Sequence, residues 1–580
     1  MRQHTLVLLA ALSLVPVMAQ LPDVVGGPVN AASYVPGGLP SGGIAQGSLF
    51  IVKGNGLGNA GTAVASAFPL QTGMNNTSIR VMVGGTTVNA RMIYVVAGRP
   101  GAPDQLAAIL PSDAPIGTGT LQVIYRGADL LTRTSPAVPI RVVANSFGMF
   151  TRNQNGSGPA IVQNFISQAD QPTNGLLESA QVGQTEILWG TGLGAVNAAA
   201  EINGPAPGDL PLNVEVYVGG KQANVTYRGR SGCCAGIDQI VFTVPAGLEG
   251  CYVSILVRVN GVVSTAGTMS VAPGKVCAEP SSLSAADIAK IQKTGAIGIG
   301  NIQLDRLRAN LNIPGQGVIQ GDIDFGGGKF RRYASSTDVM ASLSGSLTIG
   351  QGTPTPGSCV IQGYSFTSND PFDAAFPDLP DFVGASLDAG ATLRLNGPIG
   401  SKQLPRQRGG GYGGDPIAGG IAALGLPVLP PYLEPGTITV DNGAGTAQLG
   451  AFTSSLVIPA NTATWSNQRP GGNVPRSQDL TLTWSGGGPG ELVLILGASA
   501  DKAISAGAQF ICVERAQAGT FTVPSWVLSA LPASGVVAGV PVGFLTFGTS
   551  LPQPSRFTAT GLDLGYFNWS TRQVTNVVFQ

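Results

Sequence analysis

The residues of this sequence that could do chemistry are cysteines and carboxylates, since histidine is almost absent. The chain of 580 residues has one histidine, His4, and six cysteines: Cys233, Cys234, Cys251, Cys277, Cys359 and Cys512. We expect the segment around His4 to be removed, so the mature chain would have no imidazole. This excludes Ser-His-Asp and Cys-His catalysis and histidine zinc sites, and leaves carboxylate chemistry, Ser-Lys chemistry or no catalysis.

An acidic cluster stands in the stretch SNDPFDAAFPDLPDF, among prolines and phenylalanines. Its carboxylates are those of Asp370, Asp373, Asp378 and Asp381. Carboxylate oxygens bind calcium, and a pair of carboxyl groups can catalyse the hydrolysis of glycosidic bonds. The spacing matches neither an EF-hand loop nor a glycine-aspartate repeat, so we expect a solvated acidic loop, with a calcium site as the alternative. We assign no catalytic residue and no cofactor other than this candidate calcium ion.

The N-terminal stretch MRQHTLVLLAALSLVPVMAQ has a basic start, an apolar run and a small-residue site ending at Ala19. This pattern predicts a secretory signal peptide over residues 1–19. The apolar run is shorter than the roughly 20 residues that span a bilayer, and no later run is long enough. We therefore expect a secreted chain, extracellular or periplasmic, with no membrane span.

An oxidising compartment predicts disulfides for an even number of cysteines. Adjacent cysteines rarely bond to each other, because the bond strains the peptide between them. We therefore expect Cys233 and Cys234 to pair separately with Cys251 and Cys277, and prefer Cys233–Cys251 with Cys234–Cys277 over the swapped arrangement. The two remaining cysteines, Cys359 and Cys512, would form a long-range pair.

Composition favours a large β protein. Charged residues are 11% of the chain, and glycine is 84 of 580 residues, whereas long helices need Ala, Leu, Glu and Lys. The 31 basic and 31 acidic residues balance, so no basic surface for nucleic acid is expected. Short apolar runs bounded by Gly, Pro and Asn are typical of antiparallel sandwiches.

An internal repeat sets the expected domain plan. The stretch DQLAAILPSDAPIGTGTLQVIYRG from Asp104 aligns without a gap to DQIVFTVPAGLEGCYVSILVRVNG from Asp238. The strand end GNGLG at Gly54 likewise matches GTGLG at Gly190. One sandwich unit is predicted over residues 28–150, and a second, which carries the clustered cysteines, over residues 158–278.

These two units resemble a known family. The stretches VNAASYVPGGLPSGGIAQGSLFIVKGNGLG and SFGMFTRNQNGSGPAIVQN are similar to the uncharacterised immunoglobulin-like domain of secreted acidobacterial proteins, of the Solibacter C-terminal type. The GxGLG and VxVGG strand ends also look like those of IPT/TIG domains. The resemblance covers about residues 28–278 and implies an immunoglobulin-like fold outside the cytoplasm, with binding or spacing roles and no catalytic residues.

The rest of the chain is predicted as a linker helix over residues 281–294, capped by Ser284, and a larger β-rich region over residues 295–580. Whether that region is one domain or two stays open. Its Gly- and Pro-rich segment, residues 397–433, is predicted as an exposed loop.

We therefore expect a secreted, non-enzymatic protein that binds or scaffolds a protein or polysaccharide partner. The alternative is a carbohydrate-binding or carboxylate-dependent carbohydrate-active protein, with Trp465, Trp484, Trp526 and Trp569 as sugar-stacking platforms. Exposed tryptophans would favour the alternative, whereas buried ones would favour a structural role. The sequence indicates neither the ligand nor the oligomeric state.

Overall fold

The computed structural model describes residues 21–580 except 153, 155, 198–200, 205–206, 279–283, 295, 334–353, 366–383, 423–424, 426–427 and 552. The predicted signal peptide lies outside these residues, as do the four candidate calcium ligands Asp370, Asp373, Asp378 and Asp381. The chain is all-β, as predicted. Helical segments among the described residues include α1 (Ala285–Thr294), the single turn α2 (Ser525–Leu528) and a 3₁₀ turn at Ala516–Ala518.

The first sandwich packs two sheets face to face. Its strands are β1 (Asp23–Asn30), β2 (Ile44–Ala45), β3 (Leu49–Asn55), β4 (Gly61–Val64), β5 (Gly73–Met74), β6 (Thr77–Val83), β7 (Thr86–Asn89), β8 (Arg91–Ala97), β9 (Asp104–Ile109), β10 (Gly117–Arg126), β11 (Thr132–Thr134) and β12 (Val138–Val143). One sheet has the order β1-β3-β9-β8-β4, and the other has β2-β12-β10-β6-β5 with β7 and β11 attached. Apolar and polar side chains point to opposite faces of each strand, so one face forms the core. In β6, Ile79, Val81 and Val83 are buried, whereas Arg80 and Met82 are exposed.

The second sandwich repeats this pairing. Its strands are β13 (Gly148–Met149), β14 (Gly158–Pro159), β15 (Val162–Asn164), β16 (Thr185–Thr191), β17 (Gly208–Asp209), β18 (Val214–Val218), β19 (Lys221–Arg230), β20 (Asp238–Thr243), β21 (Gly250–Val259), β22 (Val262–Val263) and β23 (Gly267–Val271). The β16–β20 pair corresponds to β3–β9, and the β18–β21–β23 ladder corresponds to β6–β10–β12. The single strand β19 pairs with β18 near its start and with β20 near its end, so the two sheets are continuous.

The C-terminal region is built on long strands. They are β24 (Ile297–Ile313), β25 (Gly317–Tyr333), β26 (Ser358–Ser365), β27 (Ala385–Ser386), β28 (Thr392–Gly397), β29 (Gly400–Pro405), β30 (Tyr412–Gly419), β31 (Gly436–Asp441), β32 (Thr453–Ile458), β33 (Thr464–Trp465), β34 (Gly472–Val474), β35 (Leu480–Ser485), β36 (Leu492–Ala500), β37 (Ala506–Arg515), β38 (Thr520–Val523), β39 (Val536–Val537), β40 (Val540–Pro541), β41 (Gly543–Ser550), β42 (Ser555–Ala559) and β43 (Leu562–Phe579). The main sheet has the order β26-β37-β36-β41-β43-β24-β25-β27. Two smaller sheets, β29-β28-β31-β32 and β33-β35-β38, pack against the main sheet in two hydrophobic cores.

The predicted linker helix is present as α1, with the cap that the sequence indicates. The Ser284 hydroxyl donates to Asp287 at 2.6 Å, and the Asp287 amide donates back to Ser284 at 3.2 Å. Arg556 pairs with the same carboxylate at 3.1 Å, and Lys290 pairs with Asp563 of β43 at 2.5 Å. Two ion pairs therefore attach this helix to the C-terminal region.

The prediction of an exposed loop over residues 397–433 is wrong, because β29 and β30 lie within it. Its glycines allow close backbone approach: a Cβ at Gly413 would overlap the carbonyl oxygen of Gly326, and its φ is +70°. Tyr412 is buried, donates to the Gly390 carbonyl at 2.8 Å and accepts from the Ala389 amide at 2.8 Å. The glycines of this segment therefore allow its strands to approach the neighbouring strand closely.

A buried ion pair fixes the end of this segment to the main sheet. Asp324 of β25 accepts from Arg306 at 2.7 Å and from the amides of Tyr432 and Leu433 at 2.6 and 2.9 Å. Burial opposes ionisation of Asp324, but these hydrogen bonds outweigh it and hold the pKa of the carboxyl below its usual value.

Replacement Asp324→Asn should lower stability by roughly 3–5 kcal/mol, because it leaves the buried Arg306 with the partly exposed Glu434 carboxylate, at 3.2 Å, as its remaining charge partner. Since the pKa of Asp324 is lowered on folding, its contribution is present above the unfolded pKa and is lost as pH falls through the folded value. Urea unfolding at pH 7 and pH 3 measures both effects. The neighbouring Asp322→Asn, at a half-exposed Arg308 pair 3.6 Å apart, is the matched control, and an equal loss in both variants would contradict this account.

Candidate functional site

The cysteines pair differently from the preferred arrangement. Cys359 and Cys512 lie opposite each other on β26 and β37 and are bonded, as predicted. Cys251 is bonded to Cys277, and Cys233 is bonded to its neighbour Cys234. The expected pairs Cys233–Cys251 and Cys234–Cys277, and the swapped alternative, are therefore wrong.

The reason is the length of β20. Cys233 and Cys234 lie in the turn before Asp238, at the start of this strand, whereas Cys251 follows its far end at Thr243. Six strand residues span about 20 Å, which is far beyond the Cα separation of a disulfide. Cys277 lies after β23, the strand that pairs with the start of β21 at Cys251.

The candidate sugar-stacking tryptophans are mostly core residues. Trp465, Trp484 and Trp569 are 6%, 5% and 3% exposed and pack in the C-terminal cores. Trp526 is half-buried and stacks on Tyr217 of the second sandwich, with ring centroids 5.0 Å apart. Their burial favours the structural role that the sequence left as one of two alternatives.

A group of buried charged and polar side chains lies where the two sandwiches meet. We call Ser112, Glu201, Arg230 and Asp238 the junction cluster. Arg230, at the end of β19, forms an ion pair with Asp238 at the start of β20, and both are buried. The Arg230 guanidinium also donates to the carbonyl of Gly47 in the first sandwich at 2.8 Å and to that of Gly194 in the second at 2.7 Å.

Glu201 completes the junction cluster from the other side. Its carboxylate accepts from the Ser112 amide at 3.0 Å and from the Ser112 hydroxyl, which itself accepts from the Val196 amide at 2.9 Å. Burial raises the pKa of Glu201, and the Ser112 hydrogen bonds and the Arg230 charge oppose that rise. Gly47 lies at the centre, since a Cβ there would contact Arg230, Glu201 and Ser112.

The junction cluster uses a device that both sandwiches share. In the first, Asp104 accepts from the Leu57 amide at 2.8 Å and from the Gly98 amide at 2.7 Å. In the second, Asp238 accepts from the Leu193 amide at 2.7 Å, and Arg230 takes the other oxygen. Both aspartates thus hold the glycine-rich GxGLG turn of their own sandwich. The repeated Asp-Gln and GxGLG motifs were the available sequence signal for this contact, but nothing in the sequence marked Arg230.

The C-terminal region is joined to both sandwiches by apolar contacts. One core contains Val35 and Leu39 of the first sandwich, Leu256 of the second and the inner residues of β36 and β37. A second core packs Cys251 and Cys277 of the second sandwich against α1, β24 and β43. The Ala266 amide also donates to the Ile361 carbonyl at 3.0 Å. The described parts of the chain therefore form continuous buried contacts.

One carboxylate is buried without a partner. Glu186 of β16 is fully buried, and within the described residues neither of its carboxylate oxygens has a hydrogen-bond partner. Burial raises the pKa of Glu186 to about 9. The side chain is therefore protonated at neutral pH in the folded protein.

Among the described residues, no three His, Cys, Asp or Glu side chains lie close enough to hold a metal ion. The same residues include no helix that is long and apolar enough to cross a bilayer. The proposed calcium ligands are outside this part of the chain, so the calcium site stays a prediction.

No protein-family model matches the sequence, and no curated protein is significantly similar to it. The resemblance to acidobacterial immunoglobulin-like domains therefore stays a prediction. Among solved structures, the tetra-tandem repeat from the extending region of a large adhesion protein is 11% identical, with 96% of this chain and 98% of that chain covered and a TM-score of 0.13.

Two further structures have similarly low scores. SGBP-B of the Bacteroides ovatus mixed-linkage glucan utilization locus, in complex with a mixed-linkage heptasaccharide, is 10% identical over 87% of this chain and 91% of that chain, with a TM-score of 0.13. The fibronectin(III)-like modules of Clostridium thermocellum CbhA are 13% identical over 40% of this chain and 93% of that chain, with a TM-score of 0.10. At these scores the likenesses carry no argument about function.

Replacement Arg230→Met should lower stability by roughly 3–5 kcal/mol, because Asp238, whose pKa burial already raises, loses its counter-ion and must stay an unpaired buried charge or take up a proton. The Gly47 and Gly194 carbonyls lose their donor in the same variant. Urea unfolding measures the loss, and Arg228→Met, at a half-buried position on the same strand, is the control. An Arg230→Met variant as stable as Arg228→Met would contradict the role given to the junction cluster.

Replacement Glu186→Gln should remove a pH dependence of stability. Because the pKa of Glu186 is raised from 4.5 to about 9 on folding, its favourable contribution is full below pH 4.5 and is lost as pH rises towards 9, at about 1.4 kcal/mol per unit. The variant should therefore be more stable than the wild type at pH 8 and similar at pH 4. Urea midpoints at the two pH values test this, with the exposed Glu249→Gln as control. An equal difference in urea midpoint between wild type and Glu186→Gln at pH 4 and at pH 8 would contradict this prediction.

Proposed function

We propose that this chain is a secreted, non-enzymatic β protein that acts by binding or scaffolding a protein or polysaccharide partner. In this proposal the sandwiches hold their loops in a fixed relative arrangement, and a partner contacts more than one of them. The observation that carries the proposal is the continuous set of buried contacts through which the first sandwich, the second sandwich and the C-terminal region pack together.

Two features support a fixed arrangement. A charge-assisted hydrogen bond is directional, so the buried Arg230 contact to Gly47 restricts the orientation of the first sandwich relative to the second, in which Asp238 and Gly194 hold Arg230. The apolar cores shared with the C-terminal region exclude water from the other contacts. A protein that only tethered independent domains would not need buried contacts of this kind, because interfaces between mobile domains are smaller and more polar.

The carbohydrate-active alternative has less support from the described residues. Three of its four candidate tryptophans are core residues, and the fourth packs between two parts of the chain. A polysaccharide partner is still compatible with the proposal, because loops and half-buried side chains bind sugars as well. Binding without cleavage separates the proposal from the carbohydrate-active form of the alternative, and the class of ligand bound separates it from the carbohydrate-binding form.

The test uses the mature chain, residues 20–580, with its disulfides intact. Surface plasmon resonance against polysaccharides and against extracted envelope proteins, with and without calcium, should give saturable binding to one class. Mass analysis of the recovered ligand should show no change. Arg230→Met should weaken the binding several-fold, since it loosens the arrangement, whereas Arg228→Met should not.

Release of shortened oligosaccharides would contradict the non-enzymatic assignment. Equal binding by wild type and Arg230→Met would contradict the fixed arrangement as the basis of recognition. Absence of saturable binding to both classes of ligand would contradict the proposal as a whole.

A further inference from the structure

The bridge between Cys233 and Cys234 differs from the other two in exposure. Both of its cysteines are exposed, whereas Cys251, Cys277, Cys359 and Cys512 are all buried. Thiol–disulfide exchange requires access of a thiolate to a sulfur atom, so exposed bridges exchange faster and buried bridges resist. Access therefore distinguishes one of the three bridges in this chain.

The bridge also differs in what it can contribute to folding. A disulfide stabilises mainly by closing a loop in the unfolded chain, and the effect grows with the length of that loop. Cys251–Cys277 closes a separation of 26 residues and Cys359–Cys512 one of 153, whereas Cys233–Cys234 closes a separation of one. The vicinal bridge therefore contributes little to global stability, and its effect on structure is confined to the turn that contains it.

Locally, the bridge sets the shape of the turn between β19 and β20. We call residues 231–237 the vicinal turn. Ser231 is buried at its base, where the Ser231 hydroxyl accepts from the Cys234 amide at 3.3 Å and lies 3.6 Å from the Cys233 sulfur. The Ser231 amide donates to the Ile237 carbonyl at 3.0 Å, and the Ile237 amide donates to that of Cys234 at 3.3 Å.

The vicinal turn is connected to the first sandwich by hydrogen bonds through Thr191. The Gly236 carbonyl accepts from the Thr191 hydroxyl at 2.6 Å, and that hydroxyl accepts from the Leu49 amide of the first sandwich at 2.9 Å. Gly236 lies so close to Ile109 that a Cβ would be 2.8 Å from its side chain. Arg230 of the junction cluster immediately precedes the turn and contacts Gly47.

We propose that the Cys233–Cys234 bridge is a thiol-exchange site, which a dithiol reductant opens while the other bridges stay closed, and that its opening loosens the contact between the two sandwiches. The site would take an external dithiol as its reaction partner.

The exchange proceeds in two balanced steps. A thiolate of the dithiol attacks one sulfur of the bridge, so that a mixed disulfide forms and the other cysteine leaves as a thiolate. The second thiol of the reductant, as its thiolate, then attacks the reductant's sulfur in the mixed disulfide and releases the second cysteine thiolate. The reductant becomes a cyclic disulfide, and the two cysteines, protonated by solvent, have gained two electrons.

Opening the bridge removes the covalent link that restricts the vicinal turn. The Ser231, Cys234 and Ile237 hydrogen bonds would then hold the turn alone. Because the turn carries the Gly236 carbonyl, its loosening would weaken the Thr191 contact to Leu49. The amides of residues 231–237 and of Leu49 should therefore exchange with solvent faster after reduction.

The test treats native wild-type protein with dithiothreitol at pH 8, followed by alkylation of the freed thiols and mass spectrometry of each cysteine peptide. Reduction of Cys233–Cys234 should be at least about tenfold faster than that of the two buried bridges. Hydrogen exchange on the same samples should rise in residues 231–237 and in the peptide that contains Leu49. Peptides of the C-terminal region around Cys512 should not change.

The double variant Cys233→Ser/Cys234→Ser is the control. It should reproduce the exchange pattern of the reduced wild type and should not respond further to dithiothreitol. Opening of all three bridges at one rate, or free thiols at both positions before treatment, would overturn the exchange site. Unchanged exchange at Leu49 after the bridge has opened would overturn its coupling to the junction.

Discussion

The arrangement of the two sandwiches depends on the hydrogen bonds that the buried Arg230 guanidinium donates. The guanidinium neutralises Asp238 within its own sandwich and donates to the Gly47 carbonyl of the other. A buried charge of this kind is tolerated only when its hydrogen bonds are satisfied, so the position of Gly47 is as constrained as that of Asp238. Glu201 and Ser112 add a second polar contact at the same point. The hydrogen bond from Arg230 to Gly47 thus acts together with the Leu49–Thr191 and Ser112–Glu201 contacts to set the orientation of the two sandwiches.

The repeat explains how such a junction could arise from existing parts. Asp104 and Asp238 occupy equivalent positions and both anchor a glycine-rich turn through backbone amides. In the first sandwich the second carboxylate oxygen is satisfied by the Gly98 amide, within the same sandwich. In the second, Arg230 replaces that local donor and extends the contact to the neighbouring sandwich. The vicinal turn that follows Arg230 adds a disulfide at the same edge, and the first sandwich has no counterpart because residues 28–150 contain no cysteine.

The sequence predicts the local features of this protein well. Strand alternation, the repeat and the Ser284 cap depend on neighbouring residues, and the structure has the β-rich fold and the cap as expected. The pairing of Cys251 with Cys277 could not be predicted, because it depends on which ends of β20 and β21 carry the cysteines. The strands at residues 400–419 were missed since their glycines, which resemble a loop in composition, serve close strand contacts. Arg230 carries no signal, because its role depends on a carbonyl more than 180 residues away in sequence.

Differential scanning calorimetry of the mature chain, with its disulfides intact, tests the central claim most directly. Because buried contacts join the two sandwiches and the C-terminal region, the account predicts one cooperative unfolding transition whose calorimetric and van't Hoff enthalpies agree. Separate transitions for the sandwiches and the C-terminal region would show that they unfold independently, and would contradict the account.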